Sequence, residues 1–240
     1  MEEVQKVIVE SSNIVFFGGA GTSTESGIPD FRSADGLYHA GSGQQYAPEQ
    51  ILSRDFFMSH MAAFYTFYKT KMLYPEAKPN RAHLALAELE RRGQLRGIVT
   101  QNIDGLHQLA GSRNVLELHG SVLRNYCMSC KAEYPLETIM ASADDIPRCE
   151  KCQGFIKPDV VLYQESLDME VLEQAASLIT QADVLIVAGT SLTVQPAAGL
   201  VRLYEGNRLI IINRDPTPMD HLANARLGGN IGDVLHELVN

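Results

Sequence analysis

At 240 residues, with 45% hydrophobic and 20% charged positions, the chain makes one generous domain, or a large domain carrying a small insertion, and the disordered and disulfide-scaffold classes are excluded. Against 29 acidic residues stand 20 basic ones, a net charge of -9 that argues against sequence-independent nucleic-acid binding and suits cationic partners. No apolar run approaches the ~18 residues of a membrane span, and the acidic start MEEVQKVIVES lacks the positive region of a secretory peptide, so a cytoplasmic protein without a membrane partner is expected.

Val4, Val7, Ile8 and Ser11 trace a helical stripe, so the chain should open on a short amphipathic helix. NIVFFGGAG follows as a buried strand entering a glycine turn. Ala82, Ala85, Leu86 and Leu89 repeat the helical stripe, and Gly93 stops it. LRGIVTQN and NVLELHG read as strands, being β-branched and bounded by turn residues. A later series alternates in the same way: strand DVVLY, a helix marked by Leu172, Ala175, Ala176 and Ile179, strand DVLIVAGTS, a helix after Pro196, strand RLIIIN and the terminal helix DVLHELV. Short, nearly continuous apolar strands separated by helices imply an α/β protein: a doubly wound, mainly parallel, Rossmann-like sheet covered on both faces. Residues 1–32, 79–121 and 158–240 are assigned to it. Two stretches stand outside the array and are expected to form a smaller module: 33–78, loop and aromatic-rich helix, and 122–157, which holds every cysteine.

Cys127 and Cys130 are separated by two residues, as are Cys149 and Cys152, with 18 residues between the pairs. This is the spacing of a zinc ribbon, in which two turns each present two thiolates and complete a tetrahedron with no position left for water. The alternatives are two disulfides or idle thiols, and a reducing compartment disfavours the first. A filled tetrahedron would fold the insertion rather than catalyse. A zinc ribbon also suits a nucleic-acid module, so the cysteines alone leave function open.

Gly19 and Gly21 match the first two glycines of a dinucleotide-binding G-x-G-x-x-G turn, but Thr24 holds the third position. Gly27 and Pro29 predict a loop after the glycines rather than an immediate long helix. That loop ends in Asp30-Phe31-Arg32, which beside a nucleotide would bring an aromatic lid and a cation near a diphosphate.

Taken in order, GAGTSTESGIPDFRS, TQNIDGLHQLAG, LELHG, the paired cysteines, KPDVVLYQE, VAGTSLTVQPA and IIIN make the chain resemble the sirtuins, NAD-dependent protein-lysine deacylases, over essentially its whole length. The resemblance implies that Ala20, Gly21, Thr24, Asp30, Phe31 and Arg32 line an NAD pocket, and that Gln101, Ile103 and Asp104 surround the nicotinamide end. It places Asn102 on the ribose and its water. Gly189, Thr190 and Ser191 fall at phosphate or ribose hydroxyls, Asn213 at the adenosine ribose and Ile231 near the adenine. Singly, Thr190, Ser191 and Asn213 also read as ordinary loop polarity and capping.

Of seven histidines, His119 stands out. A lone histidine after a strand is more often structural, but this one adjoins Gly120 at a strand end facing the same crevice as 101–104. The resemblance makes it the catalytic base and Asn102, on the ribose and its water, a second catalytic residue; His107, in the adjacent helix of the same motif, reads as support. The implied reaction has the acyl-lysine oxygen attack the nicotinamide ribose, nicotinamide leave, His119 accept a ribose-hydroxyl proton, and water release lysine and O-acyl-ADP-ribose. An imidazole suits that proton transfer at neutral pH.

By the same resemblance Val160, Val161 and Tyr163 contact an acetyl-lysine protein or peptide, which adds as a strand between the modules. Sirtuins commonly have Phe-Gly-Glu where this chain reads Tyr163-Gln164-Glu165, which implies altered peptide preference. Desuccinylating sirtuins carry a Tyr-x-x-Arg pair; here Tyr65 is followed by Tyr68, so acetyl is expected over succinyl. Three rivals stay open: a protein ADP-ribosyltransferase, a zinc-ribbon nucleic-acid module, disfavoured by the net charge, and an inactive NAD sensor, which the set Asn102, Asp104 and His119 counts against.

Overall fold

The structure is a computed structural model that describes residues 1–33, 36–38 and 45–240; positions 34, 35 and 39–44 of the expected helical insertion lie outside the described residues. In chain order the elements are α1 (Glu2–Glu10), β1 (Ile14–Gly18), a 3-10 helix (Ala20–Ser26), α2 (Pro48–Ile51), α3 (Arg54–Ser59), α4 (Met61–Lys71), α5 (Arg81–Arg91), β2 (Leu95–Thr100), α6 (Leu106–Leu109), β3 (Val115–Glu117) and β4 (Gly120–Cys127). Then follow β5 (Glu133–Pro135), α7 (Leu136–Ala141), β6 (Ile156–Val160), α8 (Met169–Gln181), β7 (Val184–Ala188), a second 3-10 helix (Ala197–Leu203), β8 (Leu209–Ile212), a third (Asp220–Leu222), β9 (Ala225–Leu227) and α9 (Ile231–Val239).

Among the described residues a six-stranded sheet runs β3-β2-β1-β7-β8-β9 with every pairing parallel. The alternation of β1 shows why it must be covered twice. Ile14 and Phe16 face a core built with α5 and α9, while Val15 and Phe17 face another built with α8 and the second 3-10 helix. Both cores are built of buried apolar side chains, as a parallel sheet covered on both faces requires. Helix starts are written locally. The side chain of Asn80 accepts from Ala82 N at 2.9 Å, and His83 Nδ1 accepts from Asn80 N at 3.2 Å, a reciprocal cap on α5. Asp168 does the same service for α8, its carboxylate accepting from Glu170 N and Val171 N.

A second, three-stranded antiparallel sheet runs β5-β4-β6. Its apolar residues Cys127, Ile156 and Val160, with Cys149 from the preceding turn, share one core with Phe57, Phe64, Tyr65 and Tyr68 of α3 and α4. The two stretches that the sequence sets apart thus pack on each other.

The structure corrects four details of the expected array. The run DVVLY does not join the parallel sheet: Asp159 and Val160 end β6 and pair with Ser121 and Gly120, while Val161 to Tyr163 lie beyond the strand. An apolar run names no partner, and β4, leaving directly from the end of β3, supplies the nearest one. The segment after Pro196 is a 3-10 helix rather than an α-helix. The glycine loop winds as a 3-10 helix closed by Gly27 at φ +82°. Finally, β9 is only three residues long, too short to carry a period, and extends the sheet without a signal in the sequence.

Candidate active site at the carboxyl edge of the sheet

The strand order reverses between β1 and β7, and ligands of doubly wound sheets sit beyond the carboxyl ends of the strands at such a switch point. Here the two loops touch backbone to backbone. Gly19 N donates to Ala188 O at 3.1 Å and Gly21 N to Gly189 O at 2.8 Å. A Cβ on Gly21 would lie 2.8 Å from Gly189 Cα, and one on Gly189, which sits at φ +63°, would lie 2.3 Å from Thr22 N. Glycine is therefore required at both positions for the crevice floor to close.

Polar side chains then stitch the neighbouring loops together. Gln101 Nε2 donates to Thr190 Oγ1 at 2.9 Å. Asn213, at the end of β8, donates from Nδ2 to Thr190 O at 2.7 Å and accepts from Thr190 N at 3.3 Å, so both ends of its amide serve the loop. Thr24 Oγ1 donates to Gly21 O at 3.0 Å, and the Ser191 hydroxyl lies 2.8 Å from that of Thr193. Asp30 spends one carboxylate oxygen inside its own turn, accepting from Arg32 N at 3.0 Å and Ser33 N at 2.8 Å. Arg32 is exposed, and Phe31 packs against the core of the small sheet. Ile231 opens α9 and is buried; the adjacent Gly232 N donates 2.8 Å to Glu25 Oε1 of the first 3-10 helix. Ala20 begins that 3-10 helix.

Deeper in, a residue without a role in the sequence reading ties the pieces together. Ser23 Oγ accepts from Asn102 Nδ2 at 3.1 Å and donates to Asp104 Oδ2 at 2.7 Å. Asp104 Oδ1 accepts from Leu106 N, the first residue of α6, at 2.9 Å. Asn102 N donates to Thr100 Oγ1 at 3.0 Å, and Ile103 O accepts from Val122 N at 2.9 Å, which holds the loop against β4. The signal for Ser23 was its place inside GAGTSTESG, but no spacing reveals a partner 81 residues away. Beneath lie His83 and His107, their rings 4.8 Å apart. Burial pushes His83 down to about 4, against the opposing pull of Asp104. It pushes His107 down to about 3, with His83 adding to the effect. Both are neutral: His107 on α6 itself and His83 on α5, packed edge to face.

His119 Nδ1 lies 3.0 Å from Gln101 O. A carbonyl can only accept, so Nδ1 carries the proton and Nε2 is left with a free lone pair. Burial lowers its pKa from the ordinary histidine value, with the bond to Gln101 opposing. The ring is thus a neutral base aimed by a backbone carbonyl. His119 O accepts from Val161 N at 3.0 Å, and Val160 pairs with Gly120, so the segment carrying Val160, Val161 and Tyr163 hangs from the same strand end. A cavity of about 500 Å³ opens beside it, lined by Arg54, Tyr126, Val160, Val161 and Gln164.

Cys127, Cys130, Cys149 and Cys152 bring their sulfurs within 4.8 Å of one another, all as free thiols. The closest approaches, 3.4 Å for Cys127–Cys152 and 3.5 Å for Cys130–Cys149, join the two turns and are far longer than the ~2.05 Å of a disulfide. Tetrahedral ligands on ~2.3 Å bonds would sit at about this separation. Tyr134 donates its hydroxyl to Cys149 Sγ at 3.0 Å, which is the main reason that thiol falls to about 6. The donor set fits a thiolate-loving metal ion.

Fold and site together define a doubly wound α/β protein with a ligand crevice at its switch point, a neutral imidazole on the rim and a four-cysteine centre in an inserted sheet. The Sir2 family model matches residues 19–196, and the chain belongs to the Sir2 family. It is 53% identical over 239 residues to the NAD-dependent protein deacetylase of Clostridium acetobutylicum, covering 100% of this chain and 98% of that one. The NAD-dependent protein deacetylase of Staphylococcus aureus is 44% identical over 238 residues, covering 99% and 97%. Among solved structures, a Sir2 complex with a p53 peptide and NAD+ superposes with a TM-score of 0.86 at 39% identity, covering 99% of this chain and 96% of that one. A Sir2 variant with deacetylated p53 peptide and 3′-O-acetyl-ADP-ribose superposes at 0.91 with 38% identity, covering 99% and 96%.

Proposed function

We propose that this chain is an NAD-dependent protein-lysine deacetylase that releases nicotinamide and O-acetyl-ADP-ribose. The observation that carries the reading is the His119 imidazole, neutral and with Nε2 free, beside the Asn102–Ser23–Asp104 chain of hydrogen bonds. NAD, as co-substrate, supplies an activated sugar carbon to which the acetyl oxygen is transferred. Every other task falls to the protein. Gly19, Gly21 and Gly189 keep the crevice floor free of side chains, so that backbone N–H groups can approach a diphosphate. Asp104 holds the carboxamide of the nicotinamide, while Asn102, oriented by Ser23, holds the ribose. Thr190, Ser191 and Asn213 line the adenosine half, with Ile231 near the adenine, and Phe31 and Arg32 close over the sugar and diphosphate. His119 Nε2 accepts the ribose-hydroxyl proton. Catalysis is then mostly positioning.

Cys127, Cys130, Cys149 and Cys152 hold one zinc ion, which folds the inserted sheet and takes no part in the chemistry. In this reading residues 1–32, 79–121 and 158–240 form the NAD-binding domain, and 33–78 with 122–157 form the small module. An acetyl-lysine peptide lies along Val160, Val161 and Tyr163 between them. Among the described residues no helix is long and apolar enough to cross a membrane.

The acyl group is a short neutral one. Tyr68 stands where desuccinylases carry arginine; it is fully buried, stacked on Phe64, and its hydroxyl has no partner among the described residues. A succinyl carboxylate there would lack a counter-charge. The test incubates the protein with one peptide carrying acetyl-lysine or succinyl-lysine, with and without NAD, and follows products by mass spectrometry. Free O-acetyl-ADP-ribose is expected, with kcat/KM on the order of 100-fold higher for acetyl. A protein-bound ADP-ribose product would favour an ADP-ribosyltransferase instead, and a succinyl preference would overturn the acyl assignment.

A further inference from the structure

Tyr38 and Tyr163 sit 125 positions apart in the chain, yet their hydroxyls lie 2.8 Å apart. Each belongs to a different wall of the crevice. Tyr38 is built on the same turn as Phe31 and Arg32: its N–H donates to Phe31 O at 3.0 Å, Leu37 N donates to Asp30 O at 2.8 Å, and the Phe31 and Tyr38 rings are 5.5 Å apart. The Arg32 guanidinium lies 5.3 Å from the centre of the Tyr38 ring. Tyr163 belongs to the segment proposed to receive the peptide, and that segment is pinned. Tyr163 N donates to Leu52 O at 3.0 Å and Arg54 N to Tyr163 O at 2.9 Å. Gln164 adds two bonds of 3.1 Å to Asp55, one to its backbone N–H and one to its carboxylate. Among the described residues, the remaining hydrogen bonds of 30–33 and 36–38 stay inside their own turn. One hydroxyl pair is therefore the polar link from that turn to a fixed wall.

We propose that the Tyr38–Tyr163 hydroxyl pair is a latch that joins the turn carrying Phe31 and Arg32 to the peptide-binding segment, so that acyl-peptide and dinucleotide bind cooperatively and Tyr38 is a positioning residue for the reaction. The inference rests on the proposed function, which gives those two walls their ligands. The wall is already held by its bonds to Leu52 and Arg54, so a peptide seated along Val160 and Val161 favours the latched arrangement, in which Tyr163 keeps Tyr38 and the turn carrying Phe31 and Arg32 in place. Burial and the bond to Tyr163 raise the Tyr38 pKa, so the latch is a bond between neutral hydroxyls and should be insensitive to salt.

The experiment uses ADP-ribose, which has no nicotinamide to lose, so that binding is read without turnover. Calorimetry measures its affinity with and without saturating acetyl-lysine peptide for the wild type, Y38F, Y163F and the double variant. Each substitution deletes one oxygen and keeps the ring. In the wild type, peptide should tighten ADP-ribose binding about fivefold, the worth of one such bond. In both single variants the enhancement should fall to near one, and the double variant should be no worse than either single, because all three lack the same bond. In turnover by Y38F, the KM for NAD should rise by a similar factor while kcat stays within twofold. A merely structural role would instead lower the melting temperature and leave the enhancement intact. The latch is overturned by a wild type without peptide enhancement, by enhancement that survives in the double variant, or by single-variant losses that multiply in the double. Wild-type deacetylation is assayed separately, and its absence would count against the proposed function alone.

Discussion

The four-cysteine centre and the crevice are built in opposite ways. Each half of the cysteine centre is closed by its own turn. Lys131 N donates to Cys127 O at 3.0 Å with Lys131 at φ +62°, and Gln153 N donates to Cys149 O at 2.8 Å with Gln153 at φ +63°. The two turns then meet through β4, β5 and β6 of one small sheet. In the crevice no loop is complete alone. Groups come from the ends of β1, β2, β3, β7 and β8, and the innermost are held by groups from other loops: Gln101 by Thr190, Thr190 by Asn213, Asn102 and Asp104 by Ser23, His119 by Gln101. Damage to the cysteine centre should therefore appear first as lost structure. Damage in the crevice should appear as lost chemistry on an intact fold.

The largest effect expected on the crevice side comes from His119→Ala. It removes a proton acceptor and no core side chain, so kcat/KM should fall roughly 10²–10⁴-fold while metal content and melting temperature hold. Activity within twofold of the wild type would remove His119 from the mechanism. On the cysteine side, Cys149→Ser should release the metal and destabilise the inserted sheet by several kcal/mol, since metal binding there is folding free energy. One zinc per chain by elemental analysis supports this, and a metal-free preparation that is folded and fully active breaks it.

A finer test probes the floor beneath the crevice. His83 and His107 are neutral in the fold, with pKa values near 4 and 3, below the ordinary 6.5 of the unfolded chain. Between those limits the unfolded state binds more protons, so stability is full above about pH 6.5 and falls with acid. The slope is roughly 1.4 kcal/mol per pH unit for each histidine that remains uncharged. Chemical denaturation at pH 7, 6 and 5 reads it, and His107→Leu should flatten the curve. A wild-type stability that is level from pH 7 to 5 would show that these rings are not buried neutral. His119 follows the same direction, so the acid limb of kcat/KM should lie below pH 6.5.

The smallest effect concerns Gln164, which takes a left-handed φ of +73° that side chains adopt reluctantly. Replacing it with alanine deletes both bonds to Asp55 and leaves the strain, whereas glycine deletes the bonds and relieves it. Gln164→Gly should therefore be more stable than Gln164→Ala by about 1 kcal/mol. Equal melting temperatures would deny the strain.

Much of this was legible in the chain itself, wherever a few neighbouring residues carry the whole constraint. The C-x2-C pairs mark a four-thiol cluster because each turn presents two thiols regardless of what surrounds it. The alternating β1 run with its glycine exit marks a covered parallel strand. Gly21 is read from its neighbours, although the contact that demands it, Gly189, lies across the sheet. His119 could be singled out because it ends a strand beside Gly120. What the chain could not disclose is pairing at a distance. Apolar content placed DVVLY in a strand but not in the antiparallel sheet it joins, because side-chain period carries no name of a partner. Ser23 and Tyr38 looked like ordinary loop residues, and their roles arise from hydroxyls that meet partners 81 and 125 positions away. Hydrogen bonds between short polar side chains depend on ångström placement by the folded sheet, and local sequence sets no such distance; only the tertiary structure decided them.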